Sequence, residues 1–184
     1  PIPPRVNFAT LCKDFANLGG KPFKGSESII EVQAWLRSCE RIFKSMSLSD
    51  EQKRAMASWQ LQEGAAAWWD AVTVNVSEDD ISWSRFKELF EEQFMPTAGK
   101  TRLYRDFLEL KQGSMTIAEY ETKFNELSRY GPGLIDTPLK KNEMFVQGLR
   151  PEFHEKMTAH LKGSFVELID MALRYEDLMN KKPV

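Results

Sequence analysis

The chain is predicted to be all-α. Three observations carry that prediction. Apolar residues recur at three- and four-residue spacing through nearly every segment, Ser or Thr three residues ahead of Glu opens several of them, and Gly or Pro closes them.

Taken in order, Asn7 precedes a short stripe of Phe8, Leu11, Phe15 and Leu18 that Gly19-Gly20 ends, which predicts a brief amphipathic helix. Residues 21–25 are extended. Ser28 and Glu31 form a capping box for a long helix whose Val32, Trp35, Leu36, Cys39, Ile42, Phe43 and Met46 share one face. Ser49 caps a segment carrying Met56, Trp59, Leu61, Ala65, Trp68, Trp69 and Val72, in which Gly64 predicts a bend or a break into two helices. Two adjacent indoles could stack on nucleic-acid bases. Helix geometry turns Trp68 and Trp69 about 100° apart, however, and their neighbourhood is acidic, so both are assigned to the core. Ser82 starts a helix with Trp83, Phe86, Phe90 and Phe94, and Pro96 ends it.

The pattern breaks at Met95-Pro96-Thr97-Ala98-Gly99, the expected hinge between an N-terminal lobe over residues 22–97 and a C-terminal lobe over 98–184, with residues 1–21 as an arm. Leu103, Phe107 and Leu110 then mark one helix, and a second runs from Thr116 to about Tyr130, stopped by Gly131-Pro132. Thr137 caps a helix with Pro138 in its first turn that ends near Gly148, and Pro151 opens another with Phe153, Met157 and Leu161. Ser164 and Glu167 box the last, whose core face is Phe165, Leu168, Ile169, Ala172 and Met179. About five helices per lobe result.

Composition narrows the class. With 42% hydrophobic and 28% charged residues in 184, the chain reads as a soluble globular protein. No apolar run approaches the roughly 18 residues of a membrane span, and there is no signal peptide pattern. Cys12 and Cys39 lack zinc-type spacing and read as reduced thiols in a reducing compartment. The formal charge is −2; residues 1–98 hold 11 basic and 14 acidic side chains and 99–184 hold 14 and 13, so neither half is a basic module for nucleic acid.

Catalytic chemistry has no residues to work with. His154 and His160 are six apart, on largely different helix faces, and no Cys lies near them in sequence. Glu78-Asp79-Asp80 reads as a solvated loop leading into a helix N-terminus, where negative charge is favoured. Phosphate loops, nucleophile elbows and aspartic-protease triplets are missing. No catalytic residue, cofactor, metal or small-molecule substrate is expected.

The most specific stretch runs from Lys111 to Phe124. Gly113 can supply a turn conformation, Thr116 and Glu119 form a capping box, Met115 and Tyr120 fit a hydrophobic staple, and Ile117, Tyr120, Phe124 and Leu127 give one apolar face. The ordered Gln112-Gly113, Glu119-Tyr120 and Phe124 resemble the major homology region of retroviral and retrotransposon Gag capsids. Upstream, Phe23-Lys24-Gly25, Trp35-Leu36, the set Leu61, Ala65 and Trp68-Trp69, and Trp83 with Phe86, Phe90 and Phe94 resemble the same family; downstream, Phe145-Val146-Gln147-Gly148-Leu149 and Ala172 with Glu176 do so. The resemblance covers roughly residues 22–180 and is nearest the Gypsy, or metaviral, class of long-terminal-repeat retrotransposons, with a plant element as the expected source. One departure stands out: the family often has Gly two residues after the Leu, where this chain has Glu63, with Gly64 one place later.

The resemblance implies a two-lobed retroviral-type capsid that self-assembles through dimers, pentamers and hexamers into a cytoplasmic virus-like particle enclosing RNA. RNA contact is then expected from segments outside this chain, such as a zinc knuckle, and no membrane contact is expected. It also implies that Gln112 and Glu119 stitch the homology turn to its helix. A dimer contact is expected in the C-terminal lobe on the helix bearing Leu139, Lys140, Glu143, Met144 and Gln147. The rival with the same fold is a domesticated host protein that oligomerises as an adaptor or carries RNA.

Overall fold

Side chains that the sequence offers as caps begin most of the helices. In a computed structural model describing residues 7–181, Asn7, Ser28, Ser49, Ser82, Thr116, Thr137 and Ser164 each accept a hydrogen bond from a backbone N–H of the turn they open. The box at Ser49 is closed by Gln52, a reciprocal pair that the sequence reading gave only as a cap. The start of the expected arm, residues 1–6, and residues 182–184 lie outside the described residues.

Ten α-helices follow among the described residues: α1 (Phe8–Asn17), α2 (Ile29–Ser45), α3 (Asp50–Trp59), α4 (Glu63–Thr73), α5 (Trp83–Phe94), α6 (Thr97–Leu108), α7 (Ile117–Ser128), α8 (Pro138–Gly148), α9 (Pro151–Thr158) and α10 (Phe165–Asn180). Short 3₁₀ turns occupy Glu78–Asp80 and Pro132–Leu134. The all-α prediction holds; among the described residues the β-type pairing is confined to an isolated parallel bridge between Phe23 and Leu61. No helix among the described residues is long and apolar enough to cross a membrane.

Contacts divide the chain between Pro96 and Thr97 into two compact units. The first unit is built on rings. Phe90 lies against Phe23, Trp35, Trp68, Phe86 and Phe94, with centroids 4.9 to 6.2 Å apart. Trp83 and Phe43 continue the cluster to Phe15 of α1. In the second unit Phe124 sits among Phe107, Tyr120, Phe145 and Phe165.

Several local expectations are corrected. The break expected at Gly64 falls at Gln60–Gln62 instead, because those residues leave the helix to bond the extended segment: Phe23 N–H donates to Gln60 O (2.9 Å) and Gln62 N–H to Phe23 O (2.8 Å). The break at residues 95–99 is confined to Met95 and Pro96, since Thr97 already begins α6 and Gly99 lies inside it. Leu110 falls past the end of α6. Trp59, grouped with core residues by its spacing, is 67% exposed at the last position of α3, where it meets only the edge of Phe8 among rings.

Glu78-Asp79-Asp80 is more than a solvated loop. Arg54 is 4% exposed and donates to Glu78 (3.1 Å) and Asp79 (2.9 Å), while Trp69 Nε1 donates to Glu78 (3.0 Å). Two acidic side chains thereby neutralise a guanidinium that the α3 helix carries into the core, and tie the segment after α4 to it.

Candidate functional site

The stretch from Lys111 to Tyr120 builds a joint between three helices of the second unit. Gly113 has φ +53°, a left-handed conformation that glycine adopts without steric cost, and it reverses the chain after α6. Just ahead of it Gln112, 1% exposed, spends every polar group it has. Its backbone N–H donates to Gly148 O (2.8 Å), its Nε2 donates to Met115 O (3.0 Å), and its Oε1 accepts from Arg150 N–H (3.0 Å). One residue therefore fixes the turn and the start of α9 through its side chain and the end of α8 through its backbone.

Thr116 and Glu119 then start α7. Thr116 N–H donates to Glu119 Oε2 (2.9 Å) and Glu119 N–H to Thr116 Oγ1 (3.2 Å), the reciprocal box predicted from their spacing. A further N–H of that first turn, Ile117, is satisfied from far along the chain by Glu176 of α10 (2.9 Å). Four residues on from Thr116, the buried Tyr120 donates its hydroxyl to Phe145 O (2.8 Å). Burial pushes its phenol above the ordinary range and keeps it a neutral donor. A Cβ at Gly148 would run into that hydroxyl and stand 2.8 Å from Leu110 O, so glycine there is what lets α8 approach α7.

The structure thus brings Gln112, Gly113, Thr116, Glu119, Tyr120 and Phe124 together, with Glu119 exposed and Phe124 in the core. In the first unit Trp35, Leu61, Ala65, Trp69, Trp83, Phe86 and Phe90 are buried, and Trp68 is half-buried against them. Their counterpart joint is the Phe23-Lys24-Gly25 segment. Gly25 has φ +95°, and a Cβ there would stand 2.9 Å from Ala65 N. Trp35 Nε1 donates to Lys21 O (2.7 Å), and Ala65 N–H to Lys24 O (2.9 Å). Glu27 accepts from the N–H groups of Lys24 and Gly25; burial acts to raise its carboxyl, but backbone N–H groups at Lys24, Glu27, Gly25 and Ser26 outweigh it and hold the group below the usual carboxylate range.

On α8, Leu139, Lys140, Glu143 and Gln147 are exposed and Met144 is half-buried, while Asn142, Phe145, Val146 and Gly148 face inward. Lys140, Glu143, Met144 and Gln147 border a cavity of about 260 Å³ floored by Phe107, Tyr120 and Phe124.

Sequence reasoning missed Arg54, Asn142 and the reach of Glu176. Asn142 is fully buried and donates to Leu161 O (2.9 Å) and Gly163 O (2.8 Å), anchoring the loop between α9 and α10. Its signal was a polar residue three and four positions ahead of buried Phe145 and Val146, on the apolar face of its helix. As for reactive groups, burial and, after it, the nearby Glu40 push the Cys39 thiol up to about 12, which leaves no thiolate nucleophile at neutral pH. Among the described residues no group of three or more His, Cys, Asp and Glu side chains is placed to hold a metal ion.

A family model described as Ty3 transposon capsid-like protein matches residues 13–183. Among solved structures, a dARC1 capsid domain dimer is 19% identical, covers 91% of this chain and 99% of its own, and has a TM-score of 0.39. No curated protein matches significantly.

Proposed function

We propose that this chain, which belongs to the Ty3 transposon capsid-like family, is the shell-forming part of a Gag protein and encloses RNA in a cytoplasmic virus-like particle. The family is a structural, non-enzymatic kind, and a capsid-type role follows from membership. What supports the finer reading is that the match runs through both compact units and leaves neither as an unrelated appendage. Each unit serves as one lobe, the break at Met95-Pro96 serves as the hinge, and the outward face of α8 supplies a dimer contact.

Assembly then works by repetition. Weak contacts repeated around rings of five and six copies hold a shell by avidity, with no single interface required to be strong. RNA is held by segments other than these, because the charge of −2 offers no electrostatic footprint for it.

Electron microscopy of the purified chain across protein and salt concentrations, with light-scattering masses for the soluble fraction, tests this directly. Closed particles or ring-built tubes are expected. A chain that stays monomeric or dimeric under every condition rejects self-sufficient assembly and shifts weight to flanking segments outside this chain or to a domesticated adaptor role. Glu119→Ala is expected to abolish particles while the second unit stays folded, since Glu119 is exposed and its loss removes one end of a capping box. Normal particles from that variant would remove the homology turn from the mechanism.

A further inference from the structure

The end of α2 holds a serine in a backbone conformation that suits glycine better. Ser47 N–H donates to Lys44 O (3.2 Å) and Leu48 N–H to Phe43 O (3.2 Å), the pair of bonds that closes a helix when the residue past its cap turns left-handed. That residue is Ser47, with φ +52°, a region in which a Cβ is disfavoured. The turn itself gains nothing from the side chain, since among the described residues the Ser47 hydroxyl has no hydrogen-bond partner. Ser47 instead lines a cavity of about 400 Å³ in the first unit, apart from both joints described above.

That cavity joins an apolar floor to a charged rim. Phe43, Leu48 and Trp83 make the floor, with the rings of Phe43 and Trp83 meeting edge to face at 5.4 Å. On the rim, Glu40 is taken by Lys87 at 2.8 Å and Lys53 by Asp50 at 3.2 Å. Lys44 also lines the cavity, and among the described residues no carboxylate lies within ion-pair distance of it. Three ammonium groups thus stand against two carboxylates, which leaves one positive charge in excess. A monoanion balances that charge, whereas a dianion overshoots it.

We infer that this cavity binds a carboxylate carrying an apolar body, with the Lys44 ammonium and the Ser47 hydroxyl donating to its oxygens and Phe43, Leu48 and Trp83 receiving the body. An ionised carboxylate only accepts hydrogen bonds, and these two side chains are the donors on the rim that no other group occupies. The volume lies within the range of about 300–1,000 Å³ typical of small-molecule sites. Strain at Ser47 then has a reason: a strained conformation is kept for a hydroxyl that glycine lacks. A free acid and the C-terminus of a peptide ending in an apolar residue present the same head and body.

Calorimetric titration of the full chain at neutral pH and low salt tests this with 3-phenylpropionate, against 3-phenylpropanol as the same body without charge and phenyl phosphate as a dianion. Saturable binding of the acid is expected, with the alcohol about ten-fold weaker and phenyl phosphate weaker than the acid. Ser47→Gly and Ser47→Ala should each weaken binding about ten-fold and Lys44→Gln about five-fold. Ser47→Gly, which relieves the left-handed strain, should do so while raising the unfolding temperature of the first unit. The acid should also raise the unfolding transition read by tryptophan emission, because all five tryptophans lie in the first unit, and leave the tyrosine-detected transition in place. Acetyl-Gly-Gly-Phe with a free carboxyl group, run beside its carboxamide, separates the sources: a peptide acid that binds more tightly than 3-phenylpropionate while its amide does not bind supports a chain end, and a weaker one supports a free acid. No saturable binding of either acid, binding that Ser47→Ala leaves intact, or phenyl phosphate binding more tightly than 3-phenylpropionate overturns the inference.

Discussion

The two units solve the same packing problem by different means. In the first, rings close around an extended segment: Phe23 touches Trp35, Phe90 and Phe94, and Phe90 touches two further aromatic residues. In the second, the rings are fewer and the joint is directional, made by Gln112, Tyr120, Asn142 and Glu176 donating to or accepting from backbone groups of other segments. Ring packing is non-directional and tolerates small shifts, whereas hydrogen bonds fix angles as well as distances. The second unit is therefore the one whose geometry a single polar substitution can misplace, and the first is the one that a lost ring empties.

Chance in the sequence gives each unit its own optical reporter. All five tryptophans, at 35, 59, 68, 69 and 83, fall in the first unit, and all four tyrosines, at 104, 120, 130 and 175, fall in the second. The largest expected effect belongs to Phe90→Ala. Phe90 is fully buried, and its removal leaves a cavity bordered by five rings, at a cost of about 3–5 kcal/mol. Thermal unfolding read by tryptophan emission should shift down strongly while tyrosine absorbance shifts little. Equal shifts by both probes would break the comparison, since they would mean that the units unfold as one.

Next in size is Gln112→Ala, which leaves Arg150 N–H and Met115 O without partners and should cost about 2 kcal/mol, read this time by the tyrosines. Glu176→Ala removes one acceptor from the first turn of α7 and should cost about 1 kcal/mol by the same probe. Glu176→Gln, which keeps an oxygen in place, should recover most of that loss. If Gln112→Ala leaves the tyrosine-detected transition unchanged, the polar joint is dispensable and the second unit is held by Phe124 and its neighbours instead.

Local signals carried most of the fold. Ser28 with Glu31, Thr116 with Glu119 and Ser164 with Glu167 are legible because a capping box needs only residues three apart. The aromatic faces are legible because helical periodicity is local too. What was hidden depends on residues far apart in sequence: Arg54 meets Glu78 and Asp79 24 and 25 positions later, and Glu176 meets Ile117 across 59. No spacing rule reaches that far. Trp59 was misplaced for the opposite reason, since the chain leaves its helical path at Gln60 to meet Phe23 and the apolar stripe no longer predicts which way the residue faces.

The smallest prediction tests a place where the first unit depends on backbone geometry, as the second does. Glu63 has φ +50°, the left-handed region that costs a residue with a Cβ roughly 1 kcal/mol or more. The family resemblance expects glycine there, and the strain supplies the physical reason. Gly64, one place later, lies in α4, where an added Cβ would come no closer than 3.6 Å to Lys24 O. The glycine thus sits one residue away from the position that needs it. In partial compensation Glu63 pairs with Lys24 at 3.2 Å, but both side chains are more than half exposed and such a pair contributes little. Glu63→Gly should therefore stabilise the first unit by about 0.5 kcal/mol, and Gly64→Ala by a similar amount through helix propensity, both read by tryptophan emission. If Glu63→Gly destabilises instead, the Lys24 pair outweighs the strain, and this junction would then be held by a side-chain contact in the manner of the second unit.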